Sequence, residues 1–292
     1  MKIASILITG LFLLKAQSLL DAKIYEGFDM PAANGSPLGS LNTTLSGENS
    51  KGWHSSWQTA KGKVLFNHND LDILGYCSTP GAILAKGERK QQSIGQAVAI
   101  RQIGTSYVGD VYGSFRFSSG NLVKDSVLGI LFSIPSAEVP SPRTSMFAIC
   151  PKRWGAPYGM LSAGQNRVSK IENGIECYPD ETYLVIWKME NLPAVGKRTS
   201  IRLKMWILDS RQAAYFAENG LTETALEAAK EGSKPQNVSQ SAQAEVAKSK
   251  RGIFKGLILS CFSNGLAKVT FDEIRVSNRN LSDALGLLDK KS

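Results

Sequence analysis

The chain has 292 residues, of which 42% are hydrophobic and 20% charged. A chain of this length can bury about three quarters of its unfolded surface, and the composition excludes wholesale disorder. The formal charge is +9 with only 2 histidines, which weakens zinc and histidine-base chemistry from the outset.

Lys2 precedes an apolar run over residues 3–14. A positive start and a short apolar run have the form of a secretory signal peptide. The run falls short of the about 20 residues that span a bilayer. Small residues at Ala16 and Ser18 place the expected cleavage after Ser18, with Asp21-Ala22 as a second end; a buried N-terminal helix is the alternative. Loss of Lys2 and Lys15 with the leader lowers the charge from +9 to +7. No later run approaches spanning length, so no transmembrane segment is expected after cleavage. The expected location is extracellular or periplasmic.

The rest reads as short strands separated by turn residues: 22–29, 62–66, 95–102, 110–117, 127–134, 145–150, 159–163, 182–189, 200–208, 255–261 and 268–277. Over 111–117 the odd positions carry Val, Gly, Phe and Phe, while Ser114 and Arg116 point the other way. That period of two puts Phe115 and Phe117 on one face of a sheet. The strands at 182–189 and 200–208 are rich in β-branched and aromatic residues that suit a pleated surface. Residues 209–251 break the pattern. Ala213, Ala214, Phe216 and Ala217, then Leu221, Ala225, Leu226 and Ala229, recur at helical spacing. Thr222 with Ala225 and Glu223 forms a helix start, 234–237 a loop, and 239–250 a polar, weakly helical stretch. This insert is expected to be a mobile surface decoration, with a lid over the sheet's concave face as the sharper reading. Ser282, ahead of Asp283, is the expected cap of a short final helix. About a dozen strands with little helix specify an all-β fold: a two-sheet antiparallel jelly-roll sandwich over 19–292, with the insert at 209–251.

Two segments carry a family resemblance. Residues 269–282, Val-Thr-Phe-Asp-Glu-Ile-Arg-Val-Ser-Asn-Arg-Asn-Leu-Ser, resemble the terminal strand and the following step of laminin-G-like jelly rolls in the concanavalin A-like lectin/glucanase superfamily. Tyr25-Glu26-Gly27-Phe28-Asp29, with Gly52-Trp53 and Trp57 beyond, is similar to the opening of bacterial secreted members. The resemblance implies two antiparallel sheets with the first and last strands paired. It implies no single reaction or ligand, because one fold hosts many functions.

Chemistry is sparse. Retaining glycosidases need two carboxyl groups about 5–5.5 Å apart, and no paired-carboxylate strand motif is present. Asp272 and Glu273 are adjacent and on a regular strand face opposite ways. The alginate-lyase pattern would need a Gln-Ile-His step, and here Gln102-Ile103 is followed by Gly104. His54 and His68 have no partner at metal-ligand spacing. Calcium is carried as a candidate cofactor, because it takes carboxylate and carbonyl oxygens; Asp70 and Asp72, with Asn67 and Asn69, form a dense oxygen cluster, and Asp29 and Asp272 fall on strands expected to pair. A structural tie to turn amides or to Arg275 is the alternative for Asp272. Of Cys77, Cys150, Cys177 and Cys261, the pair Cys150–Cys177 is the first expected disulfide, with buried thiols as the alternative. Candidate ligand contacts are Arg153, Trp154 and Tyr158, in a loop bordered by Pro and Gly, and the pair Trp53 and Trp57; core anchoring is the alternative for all of them. The basic run at 248–251 reads as a solvated end, so no nucleic-acid partner is expected. A positive surface suits a polysaccharide or cell-envelope partner, acidic ones included. The expected function is non-catalytic carbohydrate or envelope binding. The alternatives are a polysaccharide-degrading enzyme and a structural or adhesive protein without a small ligand.

Overall fold

The computed structural model describes residues 24–28, 34–37, 50–51, 57–61, 63–67, 70–78, 82–86, 95–102, 110–120, 127–132, 147–151, 157–162, 168–170, 178, 180–191, 199–228, 238–246, 256–263 and 268–287. In chain order the strands are β1 (Ile24–Glu26), β2 (Ser50–Lys51), β3 (Gln58–Lys61), β4 (Lys63–Asn67), β5 (Ala82–Lys86), β6 (Gly95–Gln102), β7 (Val111–Ser119) and β8 (Val127–Phe132). There follow β9 (Phe147–Pro151), β10 (Pro157–Ser162), β11 (Val168–Lys170), β12 (Thr182–Asn191), β13 (Thr199–Asp209), β14 (Val238–Val246), β15 (Gly256–Ser263) and β16 (Lys268–Ser277). Helices α1 (Ser210–Asn219) and α2 (Glu223–Ala228) separate β13 from β14, and Ser282–Ala284 form one turn of 3-10 helix.

The strands build two antiparallel sheets. The 9-stranded sheet runs β14-β13-β12-β7-β16-β1-β2, with β5 also on β16 and β4 on β5. The 7-stranded sheet runs β11-β10-β9-β8-β15-β6-β3. The fold is therefore an all-β sandwich, with β1 paired to β16 from Ile24↔Val276 to Glu26↔Ile274, as the resemblance implies.

The near-continuous apolar run Tyr183–Trp187 has a simple cause: both faces of β12 are covered. On one face Tyr183 stacks on Phe117, with ring centroids 5.2 Å apart, and Phe115 meets Phe271 at 6.1 Å. Trp187 occupies the space a side chain at Gly113 would need. On the other face Leu184, Ile186, Trp206 and Leu208 pack with Ala213 and Phe216 of α1, Leu226 of α2, Ile73, Tyr76, Leu281 and Leu285. Helix α1 starts on a capping box, in which Asp209 accepts from the Gln212 amide and the Gln212 side chain accepts from the Asp209 amide.

The insert thus departs from a mobile decoration: its helical part completes the core of the larger sheet. Thr222 accepts from the Ala225 amide at the head of α2, as its sequence indicates. The stretch expected to be weakly helical is instead strand β14, paired with β13 from Ile207↔Val238 to Thr199↔Val246. Pairing supplies partners for the open backbone groups along β13, and that outweighs a weak helical preference. The expected final helix is one 3-10 turn. At its start the Asn280 side chain, not that of Ser282, accepts from the Asp283 amide. Among the described residues no helix is long and apolar enough to cross a membrane. The expected leader 1–18, Asp29, Trp53, the two histidines, Arg153, Trp154, Cys177 and the basic run 248–251 lie outside the described residues.

Candidate functional site

The outer face of the larger sheet changes character along its length. Beyond the apolar half under α1 and α2, register places Tyr112, Lys188 and Lys204 side by side on β7, β12 and β13. Two lysines directly opposite each other across strands repel. The repulsion is offset by carboxylates. Lys188 Nζ donates to Glu190 and to Glu223, each at 2.7 Å. Lys204 Nζ donates to Glu223 at 2.5 Å and to Glu227 at 2.8 Å. Glu223, the first residue of α2, therefore bridges both ammonium groups with its two oxygens. Asp110 lies 3.9 Å from Lys188, and the Lys188 ammonium sits 5.1 Å from the centroid of the Tyr112 ring.

Burial alone would lower the pKa of both lysines. The hydrogen bonds and charges of Glu190 and Glu223 on Lys188, and the hydrogen bonds of Glu223 and Glu227 with the charges of Glu223 and Glu190 on Lys204, outweigh it and hold both above the ordinary lysine range. Burial raises the Glu223 carboxyl, but the two lysines outweigh it and hold the group below the ordinary carboxylate range. All three stay charged near neutrality. This favours ionic recognition over proton abstraction, since a general base must be deprotonated at working pH.

A second cluster is sealed inside the same sheet. Between Asp272 and Arg275 the register of β16 against β7 shifts by one residue, and Glu273 takes a φ of 51°. The bulge breaks the alternation expected from sequence. Asp272 and Glu273 do not face opposite ways; both turn to the covered outer side. Asp272 accepts from the Leu71 amide at 2.9 Å and the Glu273 amide at 2.7 Å. Its neighbour Arg116 donates to the carbonyls of Leu71 at 2.8 Å and Cys77 at 2.6 Å. Glu273 accepts from Tyr25 at 2.9 Å and from Arg275 at 2.5 Å. The Arg275 guanidinium lies 4.1 Å from the Tyr25 ring centroid, and Gly286 packs so closely on it that a Cβ there would clash. Burial first, and then the Glu273 charge, push the Asp272 carboxyl well above its ordinary value against the pull of Arg116 and the two amides. No member of this cluster reaches solvent, so it ties strand β16 to the loop 71–77 and to β1 rather than contacting a ligand.

The sequence-derived candidates separate on this frame. Trp57 is 3% exposed, 5.7 Å centroid to centroid from Phe28, with the Arg101 guanidinium over its ring; it anchors the core and offers no sugar-stacking face. Asp70 and Asp72 are exposed and flank Leu71, whereas the Asp272 carboxylate is buried and already accepts two amides. Among the described residues no group of three or more His, Cys, Asp or Glu is placed to hold a metal ion. The two amides from which Asp272 accepts are the structural tie expected as its alternative; Asp29, the other strand member of the calcium set, lies outside the described residues. Tyr158 and Cys150 stand opposite each other in the register of β10 and β9; the remaining partners, Arg153, Trp154, Trp53 and Cys177, fall outside the described residues. The lysine–glutamate cluster escaped the sequence reading. Its signal was present: Lys188 and Lys204 interrupt apolar strands at the same parity as Ile186 and Trp206, and Glu223 sits at a readable helix start. Only the register across β12 and β13 brings them together.

No protein-family model matches the chain, and no curated protein matches its sequence. Solved structures do. An alginate lyase, Aly36B, matches with a TM-score of 0.50 at 7% identity, covering 88% of this chain and 97% of that one. A PL-14 alginate lyase from Aplysia kurodai matches at 0.47 and 10% identity, covering 88% and 98%. The carbohydrate recognition domain of Emp47p matches at 0.39 and 8% identity, covering 84% and 94%. At such identities the likeness shows the fold: a jelly-roll sandwich over most of the chain.

Proposed function

We propose that this chain is a secreted, non-catalytic jelly-roll protein of the laminin-G-like type that binds a polysaccharide or another envelope-surface ligand, acidic polysaccharides foremost. The observation that carries the reading is the sandwich shared along 88% of the chain with a protein named for its action on alginate, itself an acidic polysaccharide. Two features support binding over turnover. The paired carboxylates Asp272 and Glu273 are sealed from solvent, and Lys188 and Lys204 are held charged by carboxylates. Within this proposal Arg153, Trp154, Tyr158 and Trp53 supply further ligand contacts, and the Cys150–Cys177 bridge steadies the segments that carry them.

A second reading, a polysaccharide-degrading enzyme, is favoured by the fold match itself being a lyase. One panel separates these readings. The protein lacking residues 1–18 is passed over immobilised neutral and acidic polysaccharides, and the same mixtures are assayed for new reducing ends and for unsaturated uronates. Retention without product supports the binder, and Trp154→Ala is expected to weaken retention several-fold. Product release replaces it with the enzyme. Absence of retention on every polysaccharide overturns it and leaves a structural or adhesive protein.

A further inference from the structure

The contacts of Lys204 are the starting point. Both acceptors of its hydrogen bonds, Glu223 and Glu227, belong to α2; among the described residues the sheet itself offers Glu190, at 3.7 Å. Lys188 keeps Glu190 at 2.7 Å but shares Glu223 with Lys204. The sheet thus presents two ammonium groups across adjacent strands, spaced so that the two oxygens of one carboxylate reach both. The insert fills that position with a side chain.

We infer that Lys188 and Lys204 form a carboxylate-binding site for acidic saccharides, which Glu223 occupies as a built-in competitor. This rests on the polysaccharide-binding reading above and names the place where a uronate carboxylate would sit. Several features support it. The Glu223 side chain retains 27% exposure and that of Glu227 46%, while the lysines beneath are at 8% and 14%. Exchange needs only a rotation of the glutamates about their own bonds. Helix α2 keeps its place, since fully buried Leu226 anchors it in the core. Tyr112, under the Lys188 ammonium, borders the position with a partly exposed aromatic ring. The sheet's own carboxylates, Glu190 and Asp110, balance the two lysines and limit the pull on a single carboxylate. A polymer carrying a carboxylate on every residue supplies further charges for the basic chain, +7 once Lys2 and Lys15 are removed with residues 1–18. Affinity set this way falls with added salt, because exposed charges are screened within about 8–10 Å at physiological ionic strength.

The test uses the full chain after removal of residues 1–18, with sodium polygalacturonate and its fully methyl-esterified form as probes. The two polymers share a backbone and differ in charge. Binding is measured by affinity electrophoresis at two salt concentrations, and thermal melts establish that each variant is folded. Glu223→Gln, and independently the more exposed Glu227→Gln, are expected to tighten binding to polygalacturonate by roughly three- to tenfold, the scale of one partly exposed ion pair. Lys204→Gln is expected to weaken it to a similar degree. None of the three changes is expected to alter binding to the esterified polymer. The inference is overturned if the glutamate variants only lower the melting temperature and leave polygalacturonate affinity unchanged; α2 is then clamped for stability alone, and the polysaccharide reading stands on other residues. If neither wild type nor any variant binds either polymer or any other polysaccharide of the panel, the broader reading falls, and this site with it.

Discussion

Truncating Arg116 to alanine strands two buried carbonyls, those of Leu71 and Cys77, and leaves Asp272 without its cationic neighbour. Breaking one partner out of a buried ionic set typically costs about 3–5 kcal/mol. Arg116→Ala is expected to lose that much in urea unfolding at pH 7. The pH dependence follows from the direction of the Asp272 shift. A carboxyl whose folded pKa is raised holds its proton longer in the folded state than in the unfolded one. Its contribution is most favourable below the ordinary value of 3.8 and declines as pH rises from there through the folded pKa. Without Arg116 the folded pKa rises further and the decline continues to higher pH, so the gap between variant and wild type should widen as pH rises through the folded pKa; a gap that narrows with rising pH would contradict the coupling. Part of this cluster is legible in the sequence. Arg116 reads as a polar residue opposed to Phe115 and Phe117, and Asp272 as a tie to turn amides. Its completion is not legible, because the Leu71–Cys77 loop that receives Arg116 is remote in sequence, and because nothing local announces a bulge at the non-glycine residue Glu273.

At the scale of elements, the clamp of α2 onto β12 and β13 has its own pH signature. The Glu223 carboxyl is lowered in the folded state, so it stabilises fully above the ordinary value of 4.5, and the contribution is lost as pH falls through the lower folded pKa. The melting-temperature difference between wild type and Glu223→Gln should be constant from pH 6 to pH 8 and shrink below pH 4.5. Because the residues are partly exposed, screening keeps the difference small, on the order of 1 kcal/mol or less, and added salt should reduce it. Most elements could be read locally. Strands β6 and β16 appear with the bounds their sequence specifies, because each combines a strong strand pattern with turn residues at its ends. Strand β5 was missed: Ala82-Ile83-Leu84-Ala85-Lys86 is a short apolar run whose strand character comes from β4 on one side and β16 on the other. Strand β14 was misread for a related reason, since its Ser, Gln and Ala residues carry little preference and the decision falls to β13.

For the whole molecule, the role of the insert is decided by burial. If α1 were surface decoration, Phe216→Ala would change stability by no more than about 0.5 kcal/mol. Phe216 lies 3% exposed between the sheet and the Ile73–Tyr76 loop, so the expected loss is about 3–5 kcal/mol, read as a shift in urea midpoint. A shift of the smaller size would return the helices to the periphery. The pairing of β1 with β16 has another consequence. The hydroxyl of Tyr25 reaches the carboxylate of Glu273, 248 positions later. A ribosome delivers Tyr25 long before Glu273, so the larger sheet stays open between β1 and β16 until β16 has emerged. Contacts of such separation slow folding. Once closed, the first and last strands lie side by side, with Ile24 opposite Val276 near the end of β16, so a chain joined between these strands could be cut open again in an exposed turn elsewhere.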